Sequence, residues 1–362
     1  MHNIIFSTCG TSIITHGLDK EQTQLILAHS NCDEEMIRRT SRWNDIQCII
    51  RCAENKFLHA SNNEAVNMSA EWNCLFNYMQ KKNTSFSEWT HYLIPTDTYF
   101  GKEIAKILHT RLQNHQADSI ILEQRYLQTA DAYKFKEGVT ELTAQIEEMV
   151  HSTNYKQIVF NLTGGFKALN AYLQSLATLF AATSIYLFER STEIIEIPSL
   201  PLKIDLDVFT QNIDLFQKLE MQLELSPTEI THIQSALILN CDGIIDWSVW
   251  GQALWRKSKQ QIYQKMLHIP SDIIAPRDLR QQWENESLDH RFRINEALFY
   301  LAQYNRLQKE PRQGYQIKPI KGKQAFTHEM YVWSDGKGYR FFWTKNNEGQ
   351  IVIQSLGIGL GH

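Results

Sequence analysis

The first 205 residues alternate between short apolar runs and stretches of helical periodicity, and this alternation limits the fold more than any other feature of the chain. NIIFSTCGTS opens with a strand, and HYLIP (91–95) reads as a second, followed by TDTYFGKEIAKILHTRL, a capped amphipathic helix. SIILEQ (119–124) leads into FKEGVTELTAQIEEMV, QIVFN (157–161) into FKALNAYLQSLATLF, and TSIYLFE (183–189) into EIIEI. The pattern predicts an α/β domain over 1–205 with a mostly parallel sheet and helices on both faces. Sheets of this kind bind ligands beyond the carboxyl ends of their strands.

PSLPL (198–202) punctuates the end of that domain. A helical middle over 206–285 follows. Within it SPTE (226–229) reads as a capping box with proline at the first helical position, and DWSVWGQALWRKSKQQIYQKML as a long helix. From 286 the pattern changes again. The helix HRFRINEALFYLAQYNRL precedes three strand-like segments, THEMYVW, GYRFFWT and IVIQSLGI, joined by the turns SDGKG and KNNEG. The prediction for 286–362 is a small α+β domain.

Composition narrows the setting. The chain is 43% hydrophobic and 21% charged, and no apolar run reaches the roughly 18 residues of a membrane span. MHNIIF lacks the basic flank and cleavage site of a signal peptide. The six cysteines form no CxxC pair; reduced thiols, a cytoplasmic location and no metal site are expected. From Arg291 onward 11 Lys and Arg face 5 Asp and Glu, against 25 and 35 in the remainder. A basic module on an acidic body predicts a polyanionic partner for the tail.

NLTGGFKALN (161–170) marks the first candidate site. A helix N-terminus presents unpaired amides and a positive dipole end, worth roughly 0.3–1 kcal/mol per exposed charge contact. Gly164 and Gly165 let the backbone approach a phosphate, and Lys167 adds a full charge. This is not a GxxxxGK[ST] loop. Gly10, Thr11 and Ser12 follow the first strand in the same way, and Asp97 and Thr98 follow another. Three polar exits on one sheet edge predict a nucleotide or phosphate ligand; alternatively the glycines only make tight turns and Lys167 is solvated.

TCGTS after strand one, with NLTGGFKAL after a late strand, resembles the CARF family, the ligand-sensing domains of CRISPR-associated proteins. The resemblance covers roughly 1–205 and implies a Rossmann-like homodimer that binds a cyclic oligoadenylate. It puts Thr11 and Ser12 on one side of the ligand and Asn161, Thr163, Gly164, Gly165 and Lys167 on the other. A two-fold cyclic tetra-adenylate suits an isologous dimer, and family analogy favours it over the hexa-adenylate. Some CARF domains cut their own ligand; Ser12, Thr11 and Lys167 are the groups for slow cleavage of that kind. No cofactor is implied.

For the output domain a HEPN ribonuclease is not expected, because Arg111 and His115 are spaced too closely and lie within the sensor, and the C-terminal half has no such pair. Residues 286–362 instead resemble the RelE family of ribosome-dependent messenger-RNA interferases. The shared marks are a lysine-bearing strand before a hairpin, the YR followed by aromatics, and an apolar last strand ending in Gly-His. CARF–RelE fusions are CRISPR-associated interferases with this domain order. RNA cleavage by its own 2′-hydroxyl needs a proton acceptor, a phosphate clamp and a donor for the leaving oxygen. Arg340 suits the clamp; Lys318, Lys321 and Lys323 form a basic strip, and His328 and His362 are acid–base candidates. The strip can equally be an edge-strand guard, and Tyr339, Phe341 and Trp343 read as core rather than a base-stacking platform. Met330 and Tyr331 stand where an arginine is common in RelE domains, and the chain stops at His362. Little cleavage of free RNA and strong cleavage of translated message are expected. The competing expectation is a ligand-controlled transcription regulator, with WRKSKQQIYQK as a DNA-binding helix of a winged helix and MYVWSDGKGYRFFW as its wing.

Overall fold

The computed structural model describes residues 3–128, 131–152, 157–188, 192–241, 243–320 and 325–359. The chain divides into two compact units, Met1–Lys203 and Ile204–His362. The first contains β1 (Asn3–Thr8), α1 (Ser12–Thr15), α2 (Lys20–Ala28), α3 (Glu34–Arg38), α4 (Trp43–His59), α5 (Asn62–Ala65), α6 (Ala70–Lys82), β2 (Trp89–Ile94), α7 (Tyr99–Asn114), β3 (Asp118–Ile121), α8 (Ala132–Ser152), β4 (Gln157–Asn161), α9 (Lys167–Leu179), β5 (Thr183–Leu187) and β6 (Ile194–Ile197).

Its six strands run in the order β3-β2-β1-β4-β5-β6, all parallel except β6, which pairs antiparallel with β5. This is a doubly wound order whose direction reverses between β1 and β4, the point where such sheets open a crevice. Period-two alternation buries both faces of the central strands. Ile5, Leu93 and Val159 join the core formed with α4, α6 and α7. Phe6, next after Ile5 and so on the other face, stacks between its register partners Tyr92 and Phe160 at 5.0 and 4.9 Å. Side-chain caps fix the helix starts beside the sheet: Ser69 accepts from Trp72 N at α6, and Thr98 from Gly101 N at α7.

The second unit contains α10 (Asp207–Thr210), α11 (Ile213–Glu220), β7 (Ile238–Cys241), β8 (Ile244–Trp247), α12 (Val249–Lys265), β9 (Ile273–Ile274), α13 (Leu279–Asn285), α14 (Leu288–Leu307), β10 (Ile317–Pro319), β11 (His328–Ser334), β12 (Gly338–Lys345) and β13 (Ile351–Ile358). The helical middle packs partly around Phe216, Trp255 and Tyr263. Its later part, with Leu267, Ile273, Leu279 and Trp283, shares a core with α14 and the last sheet. That sheet has five strands, β10-β11-β12-β13-β9, where the sequence pattern marks three; β9 pairs parallel with β13.

Two local expectations are corrected. SPTE forms the expected bond, Ser226 N to Glu229 Oε2 at 2.9 Å, but closes a turn instead of starting a helix. The hairpin expected as a wing, β11–β12, is the centre of the five-stranded sheet. The basic helix of the same reading, α12, turns Lys259 inward: it is 7% exposed and meets Glu220 at 2.7 Å and Glu296 at 3.6 Å. Among the described residues no helix is long and apolar enough to cross a membrane.

Candidate functional site

Of the residues marked by the sequence, Gly10, Thr11, Thr98 and Gly165 line one cleft at the crevice between β1 and β4. This cleft of about 210 Å³ is lined by Gly10 and Thr11 after β1, Thr96 and Thr98 after β2, Gln128, and Gly165 and Phe166 after β4. Its volume lies below the several hundred cubic ångströms of a typical whole-ligand pocket. The space suffices for a phosphate or one nucleobase. Phe166 occupies the N-cap of α9 without a side-chain bond to the helix. The first amides of that 13-residue helix therefore lack the usual internal acceptor. Lys167 is exposed at its first position.

A residue that the sequence pattern left unmarked fills the other side of the crevice. Glu71, at the second position of α6, is 0% exposed. Its carboxylate accepts from Gly10 N at 2.6 Å, Ser12 Oγ at 2.9 Å and Ser69 Oγ at 2.8 Å. Burial pushes its carboxyl pKa up, and the hydrogen bonds oppose that shift. The same side chain explains the glycines. A Cβ at Gly164 would overlap the Glu71 carboxyl group, and a Cβ at Gly10 would crowd both Gly165 N and Glu71. Gly165 has a different reason: its φ of +75° is a left-handed conformation that other residues rarely adopt.

Several expected ligand contacts are committed elsewhere. Asn161 is buried; its amide reaches Ser7 Oγ and the Glu71 carbonyl, and its oxygen accepts from Thr163 N. Thr163 Oγ1 accepts from Leu187 N. Asp97 binds Lys102 at 2.7 Å and accepts from Tyr126 N at 2.8 Å, which pins the segment after β3. Thr98 is spent as the α7 cap, and Ser12 on Glu71. The physical reason is common to all: a polar group at a buried strand exit must find a partner, and here the protein supplies it. Thr11, the Gly165–Phe166 turn and Lys167 remain as the groups facing the cleft or solvent.

In the second unit the register of the sheet separates the candidates. Tyr331 pairs with Arg340 and Lys318 with Glu329, which puts these four side chains on one face. Arg340 is 24% exposed and its guanidinium lies 3.5 Å from Glu329. Gly359 lies against that guanidinium, where a Cβ would overlap it. Lys318 is exposed. His328 pairs with Trp343 on the opposite face, among the core residues Met330 and Phe341. Burial and the charge of Lys345 hold its pKa below the usual histidine value. The structure therefore does not bring His328 to Arg340. Phe341 and Trp343 are fully buried, and Tyr339 packs beside them and stacks on Trp333. Lys321, Lys323 and His362 lie outside the described residues. Glu329, at the sheet centre with its side chain 10% exposed, is the site candidate that sequence reading missed.

Residues 66–200, from the end of α5 to just beyond β6, match the family model of the CRISPR-associated protein Cas_APE2256. The match supports a CRISPR-associated protein and takes in both Glu71 and the Gly164–Lys167 turn. No curated protein matches the chain.

Proposed function

We propose that this chain is a ligand-activated ribonuclease of CRISPR-associated antiviral defence. Its first unit binds a cyclic oligoadenylate, with cyclic tetra-adenylate the preferred ring, and its second unit cuts messenger RNA on the ribosome. The observation that carries the sensor half is the uncapped start of α9, with Lys167 beside it, across a cleft from Thr11; this helix start lies in the segment matched by a CRISPR-associated family. Anions collect at such a helix start because its amides and dipole both favour negative charge. A two-fold ring is served by two copies of the cleft, so a homodimer is part of the reading.

Slow cleavage of the activator by the same cleft belongs to this proposal. With Ser12 bonded to Glu71, Thr11 and Lys167 are the groups left to orient the reacting phosphate. That chemistry requires no cofactor.

For the nuclease half, the chemistry rests on one sheet face, where Arg340 and Tyr331 are partly exposed and Lys318 is exposed. Arg340 holds the scissile phosphate, since a guanidinium stays charged and offers forked donors. Glu329 accepts the proton of the attacking 2′-hydroxyl. The 2′-oxygen bonds to phosphorus as the bond to the 5′-oxygen breaks, leaving a 2′,3′-cyclic phosphate and a 5′-hydroxyl. Lys318 and Tyr331 stand on the same face as donors to the leaving oxygen. The ribosome orients the message, which lowers the demand on these groups.

The test is translation inhibition by the purified protein with and without cyclic tetra-adenylate, with the message mapped for cuts. Ligand-dependent inhibition with discrete cuts in translated message is expected. Equal cutting of free and ribosome-bound RNA would remove the ribosome-dependent reading, and promoter DNA binding without cutting would favour a transcription regulator.

A further inference from the structure

Glu71 has no part in the chemistry above, yet it occupies the point of the sheet where a ligand is expected. Its polar partners, Gly10 N, Ser12 Oγ and Ser69 Oγ, are all neutral. The titratable groups around it come from each packed element. Cys9 at the end of β1 and Cys74 on α6 are buried thiols, and the Glu71 charge and burial together push both pKa values up, Cys74 to about 12. His16, exposed, lines the groove outside Ser12. Lys167 is exposed at the start of α9. The thiols are uncharged at neutral pH, and none of the bonded donors carries charge, so an ionised Glu71 is a buried anion held by the Gly10 amide, its own amide and two hydroxyls.

Gly10, whose amide Glu71 holds, also lines the cleft, beside Gly165. A phosphate seated against Thr11 and the start of α9 would therefore approach a second negative charge inside a poorly screened site, and two such charges oppose each other's ionisation. We propose that Glu71 is a proton-taking positioning residue of this site: it fixes the two turns, and it takes up one proton when a phosphodiester ligand binds. The inference rests on the reading of the first unit as an oligoadenylate sensor. It adds that the affinity of the sensor is tuned by pH through the Glu71 carboxyl group.

The experiment is calorimetric titration of the full chain with cyclic tetra-adenylate between pH 5.5 and 8.5, in two buffers of different ionisation enthalpy. For the wild type, the binding heat should depend on the buffer, reporting up to one proton taken up per site. Its affinity should fall up to tenfold for each pH unit above the Glu71 pKa. Glu71→Gln keeps the acceptor oxygen and removes the titration, so its affinity should be level across the range and exceed that of the wild type at pH 8.5. The wild-type proton count tests the claim without the variant, should that fold poorly. Binding with no proton uptake, or with one pH profile shared by both proteins, would overturn this inference alone. Absence of binding by either protein at every pH would overturn the sensor reading and this inference with it.

Discussion

His328 lies flat on Trp343, with ring centroids 4.4 Å apart and planes within 13°, on the face of the sheet opposite Arg340. The pairing removes the histidine from the place where its titration range alone would put it. It contributes to packing, and stacked pairs of this kind are worth about 0.5–1.5 kcal/mol.

Arg340→Ala should therefore lower message cleavage by at least about a hundredfold, the loss typical of a group that stabilises developing charge. His328→Ala should lower it less than threefold while reducing the melting temperature. Primer extension on a translated message, beside a thermal melt, reads both. A hundredfold loss for His328→Ala with an unchanged melt would return that residue to the site.

Lys167→Ala should weaken cyclic tetra-adenylate binding by about ten- to a hundredfold, from the loss of a charged hydrogen bond of about 1.5–3 kcal/mol. The exposed position of Lys167 predicts an unchanged melting temperature. Equilibrium binding and a melt on the same sample separate the two effects.

Gly164→Ala should destabilise the first unit by about 1–3 kcal/mol, because its methyl group meets the Glu71 carboxyl group in a closed space. The cost should shrink when Glu71→Ala is added. A double-mutant cycle from urea unfolding measures this coupling, and strict additivity would mean that another neighbour sets the need for glycine.

His91 is fully buried, donates from Nε2 to Phe86 O, and has its pKa lowered from 6.5 to about 4, chiefly by burial. The unfolded chain takes a proton near pH 6.5 and the folded one resists it until about pH 4. Its share of stability is thus complete above pH 6.5 and falls by about 3 kcal/mol as the pH drops to 4. Glu71 acts in the opposite sense, since its raised pKa favours the folded state at low pH. The contribution of His91 is therefore read as a difference: His91→Gln should lose less stability than the wild type between pH 6.5 and 4 in denaturant titrations.

Much of the architecture was legible in the sequence because it repeats. Strands β1 to β5, the helices α7, α8 and α9, and the turns of the last sheet all carry period or turn signals that local chemistry enforces. Glu71 carried none. An acidic residue in the first turn of a helix is ordinary, and only tertiary packing brings it to a glycine turn about 60 residues earlier in the chain and to Gly164 about 90 residues later. Asn161, Thr163 and Asp97 were placed at the right strand exits, but sequence does not reveal whether a polar group is answered by ligand or by protein. β9 and β10 span two and three residues, too few to establish an alternation. His328 was misjudged because its titration range is visible in the sequence and its pleat face is not.

The two residues of β9 have an outcome larger than their length. They pair with Ile351 and Val352 along the outer side of β13, and thereby shield a stretch of open backbone from other chains. A truncation that begins at 286, where composition changes, would strip this guard together with Leu279 and Trp283. The remaining fragment would offer an unprotected hydrophobic rim, the usual starting point for self-association. Isolating the second unit for study therefore calls for a start near residue 204.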